Sequence, residues 1–217
     1  MKFTYKMKFV VISPPNNLEG EIELLKCLFD DGLEYFHLRK PGIDSAFLEK
    51  SLIDYLEQLP EKYHDKIILH SNYDLVNMYN LKGVHYSKNN LPVKTFNNYR
   101  HQSASFHSID EIEKNEIPYN YVFLSPVFDS ISKQNYKSSY DLKTVTNFLK
   151  SNHNRVDVIA LGGIDENTVL QAYEAGFDGA AVLGAVWKTF EETKSIDLTI
   201  KKFNMIKELC LKSVLTS

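Results

Sequence analysis

Cysteine is scarce in this chain of 217 residues, which has only Cys27 and Cys210. Both lie in segments with amphipathic helical spacing, and neither has a second metal-ligating residue at useful spacing. We therefore expect reduced, packed thiols and neither a disulfide nor a cysteine metal site. Long apolar runs are also missing, since none approaches the ~20 residues that cross a bilayer. With no cleavage-type segment after the first lysines, we expect a cytoplasmic protein with no membrane partner.

The chain also lacks a large excess of charge of either sign. The formal net charge is -3, and hydrophobic and charged residues make up 43% and 24% of the chain, as in ordinary globular proteins. A slightly acidic protein has no overall attraction for polyanions, so we expect no nucleic-acid partner. Any affinity for an anion must come from a local cluster of donors.

Short apolar segments recur at even spacing and predict eight strands, at 9–13, 35–39, 67–71, 83–87, 102–107, 121–127, 156–161 and 180–183. Helical patterns separate most of them, at 18–29, 45–59, 142–150 and 168–175, and the tail at about 196–211 is expected to pack outside. Segment 92–99 is short and rich in Asn, and we expect it to be irregular. This alternation predicts an α/β fold, a single (β/α)8 TIM barrel over residues 1–217, with an open doubly wound sheet as the alternative.

Glycines follow the last two predicted strands. Gly162 and Gly163 come directly after the strand at 156–161, and Gly184 and Ala185 come directly after the strand at 180–183. In a parallel barrel the loops after strands 7 and 8 often bind phosphate, because a bare backbone lets N–H groups approach the anion. We expect these four residues to form a phosphate cup.

Cationic and polar side chains follow the other strands. They are His37, Arg39 and Lys40 after the second, His70 and Ser71 after the third, Lys88 and Asn90 after the fourth, Ser105 and His107 after the fifth, and Ser130, Ser132 and Lys133 after the sixth. The carboxyl ends of barrel strands meet at one rim, where catalytic residues sit. So many cations at the rim of an acidic protein predict a phosphorylated substrate.

Six motifs in this order resemble those of the thiamine phosphate synthase and TenI superfamily of (β/α)8 barrels. They are His-Leu-Arg-Lys at 37–40, Gly-Val-His at 83–85, Ser-Phe-His-Ser at 105–108, Ser-Pro-Val-Phe at 125–128 with Lys133 downstream, Leu-Gly-Gly-Ile at 161–164 and Glu-Ala-Gly-Phe-Asp-Gly at 174–179. The resemblance implies an enzyme of thiamine biosynthesis. Such a synthase joins an aminopyrimidine methyl diphosphate to a thiazole phosphate and releases diphosphate, so both small molecules are expected partners.

The resemblance also implies roles for individual residues on the diphosphate side. Arg39 matches the arginine that faces the diphosphate, and Ser130, Ser132 and Lys133 match the hydroxyl and lysine loop that receives the leaving group. Fixed cations and donors are what a departing anion requires.

On the acceptor side, the resemblance implies a substrate contact for Ser105. It also implies that Gly163 and Gly184 belong to the cup for the thiazole phosphate.

The chain departs from the synthases at the metal site that the resemblance implies. Synthases hold Mg²⁺ with an Asn-Asp pair after strand three and an acid after strand four, which here align with His70-Ser71 and Asn90. Because Mg²⁺ prefers anionic oxygen ligands, Ser71 and Asn90 are degenerate positions and we expect no confident metal ligand. His37 replaces a glutamine, while Lys40 and Lys88 could neutralise the diphosphate directly.

Two other functions stay open at this point. A TenI-type enzyme tautomerises a thiazole carboxylate phosphate by acid-base catalysis, and His70 or His107 could replace the histidine that this branch carries at the position of Pro126. The barrel could also bind a phosphorylated heterocycle without turnover. The sequence leaves open whether the chain forms a homo-oligomer.

Overall fold

A computed structural model describes residues 7–92, 99–128, 141–151 and 156–212, without the side chains of Asn89 and Lys212. It contains eight short strands: β1 (Lys8–Ile12), β2 (Tyr35–Leu38), β3 (Ile67–Leu69), β4 (Gly83–Tyr86), β5 (Gln102–Phe106), β6 (Tyr121–Leu124), β7 (Val158–Leu161) and β8 (Gly179–Val182). Each coincides with a predicted strand to within a few residues. The predicted irregular segment 92–99 falls largely on residues 93–98, outside the described residues.

The strands form one closed parallel barrel. Each pairs with its neighbours in chain order, and β1 closes the ring by pairing with β8 through registers such as Lys8↔Gly179 and Val10↔Ala181. An open doubly wound sheet has two edge strands that each pair on one side only, so the closed ring excludes that alternative. The predicted (β/α)8 barrel is confirmed, and all carboxyl strand ends share one rim.

Helices follow most of the strands and cover the outside. They are α1 (Glu21–Asp30), α2 (Ser45–Glu57), α3 (Asp74–Met78), α4 (Ile109–Glu113), α5 (Leu142–Ser151), α6 (Val169–Ala175), α7 (Gly184–Thr193) and α8 (Ile196–Lys212). The final helix α8 contacts α1, α6 and α7. In the described part of the chain, no helix has the length and apolarity needed to cross a membrane.

Two packed regions lie on the two sides of the sheet. The larger one joins strands to helices, and the smaller one fills the barrel with Val10, Ile12, Ile68, Tyr121, Phe123, Ile159 and Ala181. His37 of β2 contacts Phe123 of β6, and His85 of β4 contacts the same ring. Because these strands are not neighbours, the contacts require that both imidazoles point into the barrel interior.

Helix α7 is fixed to the barrel by the single tryptophan of the chain. Trp187 is 1% exposed, and its indole N–H donates to the carbonyl oxygen of Ile12 at 2.7 Å. A buried indole normally needs such an acceptor. The bond ties the first turns of α7 to the carboxyl end of β1, which is at the rim.

Candidate active site

Arg39 lies at the rim, directly after β2, with an exposed side chain. Ser13, which follows β1, holds its main chain: the Arg39 N–H donates to Ser13 Oγ, and Ser13 Oγ donates to the Arg39 carbonyl, both at 2.8 Å. A fixed backbone with an exposed guanidinium is suited to binding an anion that arrives at the rim.

The loop after β7 has the backbone geometry expected of the cup. Gly162 and Gly163 have φ angles of 96° and 65°, in the left-handed region that favours glycine. A Cβ on Gly162 would lie 2.9 Å from the Cα and Cβ of Pro126. The N–H of Phe128 donates to the Gly162 carbonyl at 3.1 Å. The Ser-Pro-Val-Phe and Leu-Gly-Gly motifs therefore lie against each other.

The loop after β8 runs directly into α7, which begins at Gly184 and continues with Ala185. The first N–H groups of an α-helix have no partner within it and carry partial positive charge. The neighbouring β7 loop is stabilised by the Thr168 hydroxyl, which donates to the Gly163 carbonyl at 2.7 Å. The four predicted cup residues thus occupy the ends of two adjacent strands.

Three histidines from neighbouring strands meet below the rim, and we call His37, His70 and His85 the imidazole cluster. His37 Nδ1 lies 2.8 Å from His70 Nε2, and the ring centroids of His70 and His85 are 4.3 Å apart. Only His70 is partly exposed. The cluster connects the rim to the barrel interior.

The surroundings of the imidazole cluster favour uncharged rings. Burial, with a smaller contribution from the Arg39 charge, lowers the pKa of His70 to about 3 from its usual 6.5. Burial, followed by the neighbouring imidazoles, lowers the pKa values of His37 and His85 well below 6.5. At neutral pH the cluster offers nitrogen lone pairs and N–H groups without positive charge.

Hydroxyl groups complete the hydrogen bonds of the buried rings. His85 Nδ1 lies 2.8 Å from Ser103 Oγ, and His85 Nε2 lies 2.7 Å from Ser105 Oγ. Tyr121 reaches His37 Nε2 at 2.5 Å. Ser105 is partly exposed near the rim, so it joins the cluster to the space where a substrate would lie.

Lys40 is not placed as the sequence suggested, and its expected substrate contact is corrected. Its ammonium lies 2.6 and 2.8 Å from the two carboxylate oxygens of Glu21 in α1, and the two side chains are 1% and 2% exposed. Successive residues at a strand end point to opposite faces, so Lys40 points outward where Arg39 points to the rim. Lys88, the other lysine considered for the diphosphate, lies 2.6 Å from Glu111.

His37 also differs from expectation. Its side chain is completely buried and its ring nitrogens face His70 and Tyr121. The expected direct contact between His37 and a substrate is therefore corrected, because these neighbours enclose the side chain within the barrel.

His107 lies at the rim after β5 and is exposed. Its Nδ1 is 2.9 Å from the carbonyl oxygen of Ser125, and its main-chain N–H donates to Glu111 at 2.6 Å. The side chain therefore borders the Ser-Pro-Val-Phe segment. Ser130, Ser132 and Lys133, the predicted leaving-group loop, lie outside the described residues.

The positions aligned with the magnesium ligands do not fit Mg²⁺. Ser71 is partly buried and Asn90 is exposed in a 3-10 turn (Lys88–Asn90), and neither carries a carboxylate. Among the described side chains, the imidazole cluster is the only group of three or more His, Cys, Asp or Glu residues close enough to share an ion. Imidazole nitrogen suits transition metals, whereas Mg²⁺ demands oxygen.

Sequence reasoning missed two members of this network. His85 was named only as part of the Gly-Val-His motif, and Tyr121 only as the first residue of a predicted strand. Period-two alternation puts Tyr121 on the same face of β6 as Phe123. The registers His85↔Ser103 and Ser103↔Tyr121 show that His85 shares this face, and these registers are known only from the structure. The contact across the barrel, however, depends on closure.

A closed (β/α)8 barrel with glycine loops and an exposed arginine at the carboxyl ends of its strands belongs to the class of TIM barrels. Its membership within that class follows from a family model described as thiamine monophosphate synthase (TMP-TENI), which matches residues 9–186. The chain belongs to this family, and the resemblance of the six motifs is confirmed.

Relatives agree with this assignment. The sequence is 32% identical to that of a thiamine phosphate pyrophosphorylase from Bacteroides thetaiotaomicron. The fold matches the crystal structure of that protein with a TM-score of 0.79, over 95% of this chain and 98% of that one. It is 28% identical over 174 residues to the thiamine-phosphate synthase of Anoxybacillus flavithermus, covering 76% of this chain and 80% of the relative. A thiamine phosphate pyrophosphorylase from Pyrococcus furiosus, 19% identical with a TM-score of 0.70 over 98% of this chain and 99% of that one, shows the fold alone.

Proposed function

We propose that this chain is a thiamine phosphate synthase, a transferase that moves an aminopyrimidine methyl group from its diphosphate to the nitrogen of a thiazole phosphate. The observation that carries the proposal is the pairing of the glycine cup with Arg39 at one barrel rim, in a chain that belongs to the synthase family. One anion site serves the phosphate that stays, and the other serves the diphosphate that leaves.

Bond making and bond breaking in this reaction balance without a net proton transfer. The bond between the methylene carbon and the diphosphate oxygen breaks, and its electron pair leaves with the diphosphate. The resulting cation is stabilised by the pyrimidine, and the lone pair of the thiazole nitrogen forms the new carbon–nitrogen bond. The enzyme must therefore stabilise a growing anion and hold the acceptor nitrogen close to the cation.

Arg39 is assigned to the leaving diphosphate, together with Ser130, Ser132 and Lys133. The guanidinium is exposed at the rim while its main chain is fixed by Ser13. A donor that is already in position costs no reorganisation when the charge develops.

Gly162, Gly163, Gly184 and Ala185 are assigned to the thiazole phosphate. Positive φ angles at Gly162 and Gly163 and the start of α7 at Gly184 are suited to directing backbone N–H groups at an anion. Holding the phosphate fixes the distance between the acceptor nitrogen and the cation.

Ser105, His70 and His107 are assigned to the reacting groups between the two anion sites. Their neutral donors and acceptors suit the hydrogen-bonding edge of an aminopyrimidine. Ser105 is positioned by His85, and His70 by His37.

A second candidate, the TenI-type tautomerase, is favoured by one observation: two of the rim residues are imidazoles, one of them backed by a second histidine. Tautomerisation requires a group that removes a proton and returns it, which the synthase reaction does not. Replacement of both His70 and His107 by Asn should abolish a tautomerase and leave measurable synthase turnover.

The function is tested with purified protein, both phosphorylated precursors and Mg²⁺. The amounts of thiamine phosphate and of diphosphate are measured, and the two amounts should be equal. Formation of both products, dependent on both precursors, is expected. No thiamine phosphate at high enzyme concentration would reject the synthase, and turnover of the thiazole carboxylate phosphate alone would favour the tautomerase. No turnover of either substrate, with binding retained, would indicate a non-catalytic binding protein.

The dependence on Mg²⁺ is tested by returning carboxylates to the degenerate positions. Ser71→Asp combined with Asn90→Asp should lower the Mg²⁺ concentration needed for half-maximal synthase rate, because carboxylates are the ligands that Mg²⁺ prefers. Ser71→Asn combined with Asn90→Ser is the matched neutral control. An unchanged Mg²⁺ response in the carboxylate variant would show that these positions do not hold the ion. Cytoplasmic location stays a prediction, and whether the chain forms a homo-oligomer stays open.

A further inference from the structure

Near the rim of this barrel, the chain differs from the family in the kind of atom that could bind a metal. Where the family resemblance implies carboxylates, the chain has Ser71 and Asn90, and where it implies amides, the chain has His37 and His70. Both new imidazoles lie in contact with each other and with His85. The oxygen set suited to Mg²⁺ is thus weakened at the same place where a nitrogen set has been assembled.

The spacing within the imidazole cluster is close to that of a metal centre. Each of the three rings offers a ligand nitrogen, and these nitrogens all lie within 4.8 Å of one another. Two nitrogens bound to one tetrahedral ion at 2.0–2.1 Å are about 3.3 Å apart. The separation of 2.8 Å between His37 Nδ1 and His70 Nε2 needs only a small expansion to admit an ion between them.

Two of the three rings are already oriented by a second hydrogen bond. Tyr121 lies 2.5 Å from His37 Nε2, which leaves Nδ1 of that ring for an ion, and Ser103 lies 2.8 Å from His85 Nδ1, which leaves Nε2. Partners on the far nitrogen fix the tautomer and direction of histidines that bind metals. His85 would exchange its contact with Ser105 for the ion.

The third ring must turn. The planes of His70 and His85 are 26° apart and stacked, and an ion cannot lie in two nearly parallel ring planes separated by 4.3 Å between centroids. His70 is the partly exposed member of the cluster, so it has room for this rotation that His37 and His85 lack. The adjustment is confined to one side chain at the rim.

We propose that the imidazole cluster binds one divalent transition-metal ion, such as Zn²⁺, through His37, His70 and His85, with the fourth ligand position open to the rim. Imidazole suits Zn²⁺, Cu²⁺, Fe²⁺ and Ni²⁺, and three protein ligands with an open position form the usual arrangement of accessible zinc sites. The inference does not rest on the proposed transferase activity, because binding of the ion can be measured without substrate.

The experiment uses the full chain without a histidine tag, freed of metals with a chelator and then titrated with Co²⁺ and with Zn²⁺. Co²⁺ in a four-coordinate nitrogen site gives strong visible absorption, and calorimetry gives the stoichiometry. We expect one equivalent of either ion to bind and Mg²⁺ to compete poorly.

Variants locate the ion. His37→Gln and His70→Asn return the residue types of the synthases, and each should weaken binding of Zn²⁺ by at least about 100-fold, as should His85→Gln. Tyr121→Phe keeps all three ligands and should weaken binding by about 10- to 100-fold, because it removes only the partner of His37. His107→Asn, at the same rim but outside the cluster, should bind as the parent does.

The proposal is overturned if the parent chain shows no Co²⁺ absorption and no stoichiometric heat. It is also overturned if His70→Asn binds as tightly as the parent, or if His107→Asn loses binding to the same extent. Circular dichroism without metal checks that each variant folds. Should a buried substitution prevent folding, His70→Asn alone decides, because His70 is partly exposed.

Discussion

The buried ion pair between Lys40 and Glu21 makes the sharpest prediction about this molecule. Lys40→Met keeps the length of the apolar stem and removes the ammonium, which lies 2.6 and 2.8 Å from the Glu21 oxygens and 3.1 Å from the carbonyl oxygen of Asn16. Tyr55 also donates to Glu21 at 2.7 Å, so the carboxylate keeps some partners. The substitution nevertheless leaves a charge buried without its counterion.

The expected cost follows from that burial. Breaking a buried pair by removing one partner costs about 3–5 kcal/mol, because the other charge stays in a poorly solvated place. For a chain of this size each kcal/mol lowers the Tm by about 2–4 °C, so a fall of about 6–20 °C is expected. The Michaelis constant for the pyrimidine diphosphate should not change below the new Tm, since the ammonium points away from the rim.

Thermal and urea denaturation measure the effect, with two controls. Lys62→Met removes an exposed partner 3.3 Å from Asp30 and should change the stability little, because solvent screens an exposed pair. Adding Glu21→Gln to Lys40→Met removes the buried charge and should recover part of the loss. A Lys40→Met protein that loses less than about 1 kcal/mol, yet binds the diphosphate substrate poorly, would refute this reasoning and return Lys40 to the substrate site.

Three further outcomes are expected. Gly162→Ala should lose about 1–3 kcal/mol of stability and raise the Michaelis constant for thiazole phosphate, because the φ angle of Gly162 is 96° and the new Cβ would lie 2.9 Å from Pro126. Unchanged denaturation and kinetics would contradict the assignment of this loop to the thiazole phosphate. Arg39→Gln should lower the transfer rate by about 100-fold without changing the Tm. The control is Arg100→Gln, because Arg100 is exposed and donates a hydrogen bond to an asparagine. Equal rates in the parent and both variants would reject the diphosphate role. Burial, with smaller contributions from nearby lysines, lowers the pKa of His101 to about 3, so the unfolded chain binds an extra proton between about pH 6.5 and 3 and stability is lost as the pH falls through that window. The free energy of unfolding of the parent should therefore fall by about 2 kcal/mol relative to that of His101→Phe as the pH is lowered from 6.5 to 5, which urea titrations measure. A difference between the two proteins that does not depend on pH would show that His101 does not titrate as described.

The barrel could be predicted because its strands carry their own signals. Parallel strands buried on both faces read as short apolar runs, such as 121–124, and glycines mark the ends of β7 and β8, where we expect the backbone to approach an anion. Both signals are local, so they survive without knowledge of the closed ring. Phosphate binding by the cup residues, which was inferred from the same glycines, stays a prediction.

The direction of individual side chains was harder to predict. Arg39 and Lys40 are adjacent and both cationic, and only the alternation along β2 separates a rim residue from one that faces α1. The partner that decides the matter, Glu21, lies 19 residues away and becomes adjacent only in the folded barrel. The contacts between His37, His70 and His85 likewise depend on the packing of three separate strands.

The indole of Trp187 gives this molecule a built-in optical reporter. The ring is buried three residues after Gly184, in the helix whose first residues border the cup, and its N–H bond to Ile12 joins that helix to β1. Because the chain has a single tryptophan, its ultraviolet emission comes from one known place. A spectral change on adding inorganic phosphate or thiazole phosphate would follow occupancy of the helix terminus in real time, with no label attached.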